Sequence, residues 1–172
     1  MTSPSDPHEF KLDELLKTWS PDLIGTLCFV VDSGRVLLIE KKRGHGAGLI
    51  NGPGGKLEAG ETPLQCAIRE TQEETCVLAI EPQLQARFKF VDLVAAQWFG
   101  YIYVAQAHQG TARETAEGAP LWVDLEALPF AQMWPDDRYW LPRVLAGEKL
   151  EGEFLFDDGQ LLTHRLRPAA AS

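Results

Sequence analysis

The sequence predicts an α/β domain, a mixed β-sheet flanked by helices. Three observations carry this. Short apolar or alternating runs of strand length recur from Leu23 to Leu166, the pattern of buried and half-buried strands. Between them stand stretches with helix punctuation. The clearest is Thr62-Pro63, a residue able to cap free N–H groups followed by a proline suited to the first helical position. No repeat, low-complexity tract or linker interrupts the 172 residues, a length that suits one domain with a sizeable core.

Taken in order, residues 1–9 read as disordered. Phe10, Leu12, Leu15, Leu16 and Trp19 read as one side of a short helix stopped before Pro21. Leu23 to Val31 reads as a buried strand, Asp32-Ser33-Gly34 as a turn and Arg35 to Glu40 as the second strand of a hairpin. Lys41-Lys42-Arg43 ends it, and residues 44–55 read as a loop carrying six glycines. The helix that starts at Thr62-Pro63 has Gln65 three residues after Thr62, completing a capping box. Leu84 to Val91 and Trp98 to Ala105 alternate as strands that pair across residues 92–97. Gln109-Gly110 marks a loop, Leu121 to Val123 a short strand and Leu125 to Pro129 a turn. Trp134 to Ala146 contains a helix entered through Pro135 and Asp136, and Glu153–Phe156 with Leu161–Leu166 form a closing hairpin around Asp157-Asp158-Gly159. The expected organisation is an N-terminal extension over 1–20, partly disordered or a short helix, a folded domain over 21–167 and a tail over 168–172.

Composition narrows the function. A hydrophobic fraction of 45% and a charged fraction of 24% are ordinary for a soluble protein. No apolar run approaches a membrane span, and MTSPSDPHEF has neither the basic region nor the apolar core of a secretory signal. Cys28, Cys66 and Cys76 are odd in number and lack paired-ligand spacing, so they read as reduced thiols in a cytoplasmic protein. A net charge of −9 disfavours nucleic acid and anionic membrane as partners. It does not exclude a phosphate substrate, because divalent ions held by carboxylates invert the local charge. A chain that forms no stable nucleic-acid complex, stays off membranes and is a monomer or weak homodimer is expected.

The stretch GKLEAGETPLQCAIRETQEETCV, residues 55–77, holds five glutamates: Glu58, Glu61, Glu70, Glu73 and Glu74. The last three stand at i, i+3 and i+4 and share one helix face. Three like charges there repel, and a cation is the natural reason to gather them. All-oxygen ligands favour Mg²⁺, Mn²⁺ or Ca²⁺ over Zn²⁺. Arg69 is placed to pair with Glu61 or Glu73 and fix the cluster. Just upstream, Asn51-Gly52-Pro53-Gly54-Gly55 lets backbone come close to a metal or phosphate. The competing reading is a solvated acidic helix.

These residues resemble the Nudix box, G-x5-E-x7-R-E-U-x-E-E-x-G-U with U a bulky aliphatic. Gly55, Glu61, Arg69, Glu70, Glu73, Glu74 and Val77 are in register. Thr71 stands where an aliphatic is usual and Cys76 where the helix-ending glycine is usual. If that position keeps a left-handed backbone, Cys76 costs about 1 kcal/mol. The resemblance implies an α/β/α sandwich and hydrolysis of a nucleoside diphosphate linked to another group.

The flanks resemble the Nudix enzymes that hydrolyse oxidised purine nucleoside triphosphates such as 8-oxo-dGTP and so sanitise the nucleotide pool. The similarity rests on Lys41-Lys42-Arg43-Gly44, Gly46-Ala47-Gly48 and Asn51-Gly52, then on Pro129-Phe130, Met133-Trp134-Pro135-Asp136-Asp137, Tyr139-Trp140 and Pro142. By this resemblance Asn51, Trp134, Asp136 and Asp137 bind the base, and Thr26, Lys41 and Phe88 match further pocket positions, with Phe90 beside Phe88. Trp134 offers a stacking face, typically worth about 1–3 kcal/mol per base. Asn51 offers a donor and an acceptor. Two adjacent aspartates near a base imply that one holds a proton. Read alone, Trp134 equally suits a core aromatic and Asp136 a helix cap. His45, Ile50 and Pro53 replace aromatics of the resembled enzymes.

The resemblance further implies Mg²⁺, with Mn²⁺ as a substitute, held by Glu70, Glu73 and Glu74 with the Gly54 carbonyl and with Glu117 as a further carboxylate. Glu70 or Glu74 would take a proton from the attacking water, Arg69 and Glu61 would orient the ligands and Lys41 would meet phosphate. The expected products are a nucleoside monophosphate and pyrophosphate. A Nudix hydrolase of another nucleotide or of an RNA 5′ end shares every one of these residues. A catalytically silent nucleotide-binding module has no need of the full glutamate set. An interaction domain would use residues 10–19 as a docking helix.

Overall fold

The computed structural model describes residues 6–170. The reading of disorder over residues 1–5 and the last two tail residues lie outside the described residues. Residues 7–9 do not fit that reading: α1 (Pro7–Leu16) starts there, capped by Asp6, whose Oδ1 accepts from the His8 N–H at 3.0 Å. Pro7 occupies the first helical turn, where its missing N–H costs nothing.

The sheet forms around β1 (Leu23–Asp32), whose apolar run is buried on both faces. The other principal strands are β2 (Arg35–Lys41), β3 (Ile50–Asn51), β4 (Gly54–Lys56), β6 (Gln83–Asp92), β7 (Trp98–Ala105), β9 (Gly118–Asp124), β10 (Leu150–Asp157) and β11 (Gln160–Pro168). They run in the order β11-β10-β6-β7-β1-β2-β3, with β4 paired to β1 and β9 to β2. The β1–β7 and β10–β6 pairs are parallel and the rest antiparallel, so the sheet is mixed, as the sequence suggests. A separate ribbon joins β5 (Leu78–Ile80) to β8 (Ala107–Gln109).

All three predicted hairpins form, β1–β2, β6–β7 and β10–β11; β7 keeps its predicted bounds and the other strands extend by one to three residues. The glycine loop is corrected: residues 44–55 contain β3 and the start of β4. Glycine carries no side chain to betray a strand, yet Gly54 must be glycine, because a Cβ there would fall 1.9 Å from the Thr26 carbonyl oxygen.

The predicted capping box starts α2 (Pro63–Thr75): Gln65 N–H donates to Thr62 Oγ1 at 3.2 Å and Thr62 N–H to Gln65 Oε1 at 2.9 Å. Thr71 is fully buried and satisfies its hydroxyl on the Ala67 carbonyl at 2.7 Å, which removes the penalty of a polar group in an aliphatic position. On the opposite face lies α3 (Asp137–Leu145), with Trp140, Leu141 and Val144 packed on Phe29, Phe88 and Phe154. Helix α1 shares the face of α2 and presses Leu12 onto Val91 and Leu155. Strand alternation thus makes two layers of core, one against α3 and one against α1 and α2.

Helix α2 ends on Cys76 in a left-handed conformation, φ 63° and ψ 15°. Replacing Cys76 by Gly relieves that backbone, and a gain of about 1 kcal/mol is expected, which in thermal unfolding reads as a rise of roughly 2–4 °C for a chain of this size. An unchanged or lower midpoint would mean that the thiol's packing outweighs the strain.

Candidate active site

The guanidinium of Arg69 organises the acidic face of α2. Its Nε and Nη2 donate to the two oxygens of Glu61 at 2.7 and 3.0 Å, a bidentate pair. Nη1 donates to Glu70 Oε1 at 2.8 Å and to Glu73 Oε2 at 3.2 Å, and Nη2 reaches the Lys56 carbonyl at 3.3 Å. The Arg69 hydrogen bonds pull the Glu61 carboxyl down to about 2. Glu61 returns the favour to the backbone by accepting from the Glu58 N–H at 3.0 Å.

Glu70 and Glu74 point at strand β4. The Glu70 carboxylate lies so close to Gly55 that a Cβ would sit 2.4 Å from its Cδ. Glu74 is 4% exposed, and its Oε2 is buried with no partner. Burial pushes its pKa up to about 7, with Glu70 adding to the rise and Lys41 opposing it. Burial also raises Glu70, against the pull of Arg69. Of the remaining expected metal ligands, Gly54 and Glu117 border the same hollow as these two. Glu73 stays largely in solvent and leans on Arg69, and Glu117 is bound by Arg43, with Nε at 3.2 Å from Oε2. Among the described residues no three acidic, histidine or cysteine side chains form a closed ligand set. Repulsion between like charges and the two arginines account for the separation. The donors nevertheless fit a hard divalent cation: two carboxylates against bare backbone, one of them with a buried oxygen that satisfies nothing in the protein.

On the other side of β4 opens a cavity of about 490 Å³. Asn51, Trp134, Asp136 and Asp137, the four residues assigned to a base, all line it. Lys41, Gly54 and Gly55 border both this cavity and the hollow holding Glu70, Glu74 and Glu117, so the two are continuous. Asn51 is set by its own turn, Oδ1 accepting from the Gly52 N–H at 2.8 Å. Asp136 does not cap α3; its Oδ2 accepts from Trp140 Nε1 at 2.8 Å. Both aspartates are 3% exposed. Burial lifts Asp136 to about 6. Asp137 is pushed well above the carboxylate range by burial and by Asp136 beside it, and its Oδ2 is buried without a partner. Burial and the neighbouring Asp136 both favour the neutral, hydrogen-bond-donating form of Asp137.

Two residues read as pocket-lining turn elsewhere. Phe88 is fully buried among Trp140, Phe154 and Phe90, while Phe90 lines the cavity. Thr26 borders it, but its hydroxyl donates to Cys66 Sγ at 3.3 Å on the α2 side. Sequence reasoning missed Trp98 as a wall. Its signal is an aromatic at the first position of a strand, directly opposite Phe90 in register. His45 stacks between Trp98 and Trp134, with ring centroids 5.5 and 4.9 Å away and interplanar angles of 27° and 19°. A flat ring therefore fits this slot. The arrangement suits a ligand with a planar heteroaromatic end and an anionic end that a cation can bridge to the glutamates.

The NUDIX domain model matches residues 22–144. The chain is 41% identical over 145 residues to the oxidized purine nucleoside triphosphate hydrolase of Mus musculus, covering 83% of this chain and 92% of that protein. It is 38% identical over 143 residues to the protein of the same description from Danio rerio, with 82% and 92% covered. Among solved structures it resembles a MutT protein from Bacillus halodurans with a TM-score of 0.76 and 31% identity, over 86% of this chain and 99% of that one.

Glu74 predicts a pH signature. Its folded pKa of about 7 lies above that of an unfolded glutamate, about 4.3. Between these values the folded state keeps a proton that the unfolded state has lost, so this group's contribution to stability falls as pH rises and is lowest above pH 7. Glu74→Gln is expected to unfold at higher urea than wild type at pH 8 in chelator, with the gap closing towards pH 4. A gap independent of pH would remove the assignment of a protonated Glu74.

Proposed function

From the premise that this chain belongs to the Nudix family, matched over most of its length, we propose that it is a Mg²⁺-dependent pyrophosphohydrolase of oxidised or modified purine nucleoside triphosphates, 8-oxo-dGTP among them, acting in nucleotide-pool sanitation. It is a Nudix hydrolase, and such enzymes work with divalent metal ions. The observation that carries the substrate reading is the buried Asp136–Asp137 pair beside the Trp134 face, opening onto the glutamate hollow. The names of the mouse and zebrafish relatives support the same choice.

Each residue has a task in this reading. Trp134 stacks on the base, and the imidazole of His45 occupying the Trp98–Trp134 slot supports a planar guest there. Asp137 donates an O–H hydrogen bond to a base carbonyl, and Asp136, which the Trp140 indole N–H favours as the ionised member of the pair, accepts from ring N–H groups. The 8-oxoguanine edge offers both. Asn51 supplies a further amide. Glu70, Glu73 and Glu74, with Gly54 and Glu117, would hold the metal. When bound, the ion polarises the phosphate chain and lowers the pKa of water. Glu74 is well suited to receive a proton near pH 7, since burial has already raised it there. Arg69 and Glu61 hold the helix face in register, and Lys41 lies where phosphate crosses between the hollows. We place the catalytic unit within 21–167. No helix among the described residues is long and apolar enough to cross a membrane; a cytoplasmic monomer or weak homodimer completes the reading.

The test is pyrophosphate release with Mg²⁺ from 8-oxo-dGTP, 2-hydroxy-dATP, O6-methyl-dGTP, dGTP and a triphosphorylated RNA. Preference for an altered purine, loss of turnover in chelator, and inactive but folded Glu73→Gln and Glu74→Gln are expected. Turnover of dGTP or RNA alone would keep the hydrolase and remove the base assignment. Asp137→Ala should lower kcat/KM for 8-oxo-dGTP by about 10–100-fold, the loss of one strong hydrogen bond in a dry site. Asp137→Asn, which keeps an N–H donor, should lose less; equal losses would mean that Asp137 acts as a charge.

A further inference from the structure

The segment before the family match is wired to the rim of the cavity. Trp19, just beyond α1, donates its indole N–H to Gln97 Oε1 at 3.0 Å. Gln97 in turn saturates every polar atom it has. Its Oε1 also accepts from the Asp92 N–H at 3.2 Å, and its Nε2 donates to the carbonyls of Asp92 at 2.7 Å and Ala95 at 3.2 Å. Its backbone N–H donates to Asp22 Oδ2 at 2.8 Å, and its carbonyl accepts from the N–H groups of Asp22 at 2.9 Å and Leu23 at 3.0 Å. The turn bound in this way, residues 92–97, brings Asp92, Ala95 and Ala96 to the cavity and ends against Trp98, the wall on which His45 stacks.

Trp19 is itself held. Its ring lies 6.5 Å from Phe99 and beneath the Lys89 ammonium at 5.8 Å. Leu12, Leu15 and Leu16 dock α1 on Val91 and Leu155, and Arg165 Nη1 donates to Asp13 Oδ1 at 2.6 Å while its Nη2 bonds Glu153. The matched family region begins at residue 22, so this anchor lies outside it. Within the turn, Leu93 packs against the same α1 cluster and its N–H donates to the Phe156 carbonyl at 3.0 Å, while Asp92 Oδ1 accepts from the N–H groups of Val94 and Ala95 at 2.9 Å. The tie between its two ends is Gln97, and the only side chain bonded to Gln97's side chain among the described residues is Trp19.

We propose that Trp19 and Gln97 are positioning residues for the active site: α1 acts as a brace that, through one indole N–H and one amide, fixes the 92–97 turn and the Trp98 wall that shapes the substrate cavity. This rests on the nucleotide-hydrolase reading for its kinetic consequence, and not for its structural one. Positioning of a cavity wall acts on substrate capture and leaves the glutamates of α2 alone, so it moves KM and spares kcat.

The experiment uses the full chain and two variants. Trp19→Phe keeps an aromatic ring on Phe99 and under Lys89 and removes only the donor. Gln97→Glu keeps the acceptor for Trp19 and removes both donors to the turn. Each is expected to raise KM for 8-oxo-dGTP about 3–10-fold, the scale of one neutral hydrogen bond, with kcat within about twofold. Hydrogen exchange read by mass spectrometry should show residues 92–98 losing protection in Trp19→Phe while residues 7–16 keep theirs. Unchanged KM with unchanged exchange at 92–98 would overturn the proposal. A lower melting temperature with unchanged exchange at 92–98 would make Trp19 a stability residue only and overturn it as well. Should wild type turn over no nucleotide, the hydrolase reading fails by itself, and the exchange arm still decides whether the brace exists.

Discussion

Four carboxylates share the reach of one guanidinium, and the site depends on that sharing. Glu58, Glu61, Glu70 and Glu73 all lie within 3.8 Å of Arg69 nitrogens. A lone surface ion pair contributes little. Here the bidentate geometry to Glu61 and the half-shielded position of Arg69 let one cation offset the repulsion that would otherwise oppose forming α2. Glu74 is left out of the network and buried. Its raised pKa is the consequence, and the same lack of a partner is what a divalent cation would satisfy. The helix can fold with this charge because Arg69 neutralises its outer part, while burial shifts Glu74, its inner part, towards the neutral form.

The cavity on the α3 side uses the opposite device. There no cation neutralises the carboxylates, and burial with mutual repulsion suppresses the charge. Asp136 and Asp137 are adjacent, so both cannot ionise cheaply in a low-dielectric site, and Trp140 Nε1 favours Asp136 as the ionised member. One helix start therefore holds two carboxyl groups on consecutive residues with Asp136 the more readily ionised. Two carboxyl groups of identical chemistry are told apart by a single indole N–H four residues along α3.

Much of this was legible in the sequence, for reasons that can be named. The capping box of α2, the i, i+3, i+4 glutamates and the three hairpins follow from local rules, and local rules held. Cys76 was marked as a strained helix end by its place in the box, and it is left-handed. What failed to show was non-local. Strands β3 and β4 hide among glycines because their pairing to β1 and β2 leaves no side-chain period. Phe88 and Phe90 share a strand face, and sequence does not say that the first packs under Trp140 while the second borders the cavity. Thr26 looks like a cavity residue by position, yet alternation turns its hydroxyl to Cys66. The Trp19–Gln97 bond joins residues 78 positions apart, beyond any periodic signal.

The sheet itself explains how a helix on one face can serve a cavity on the other. Strand β1 keeps one neighbour, β7, along residues 23–30, but its other edge is divided. Residues 25–27 pair with β4 and residues 31–32 with β2, with the Cys28 N–H bonded to the Pro53 carbonyl at 2.8 Å between them. At this fork the sheet edge is built from Gly54 and Gly55, where no side chain stands between the two layers. A Cβ on either would strike the Thr26 carbonyl or the Glu70 carboxylate. The acidic face of α2 and the aspartate pair of α3 thus meet through the thinnest part of the sheet. The two glycines are constrained at once by strand pairing and by the glutamates, and a side chain on either would fill the stretch where the two hollows share their lining.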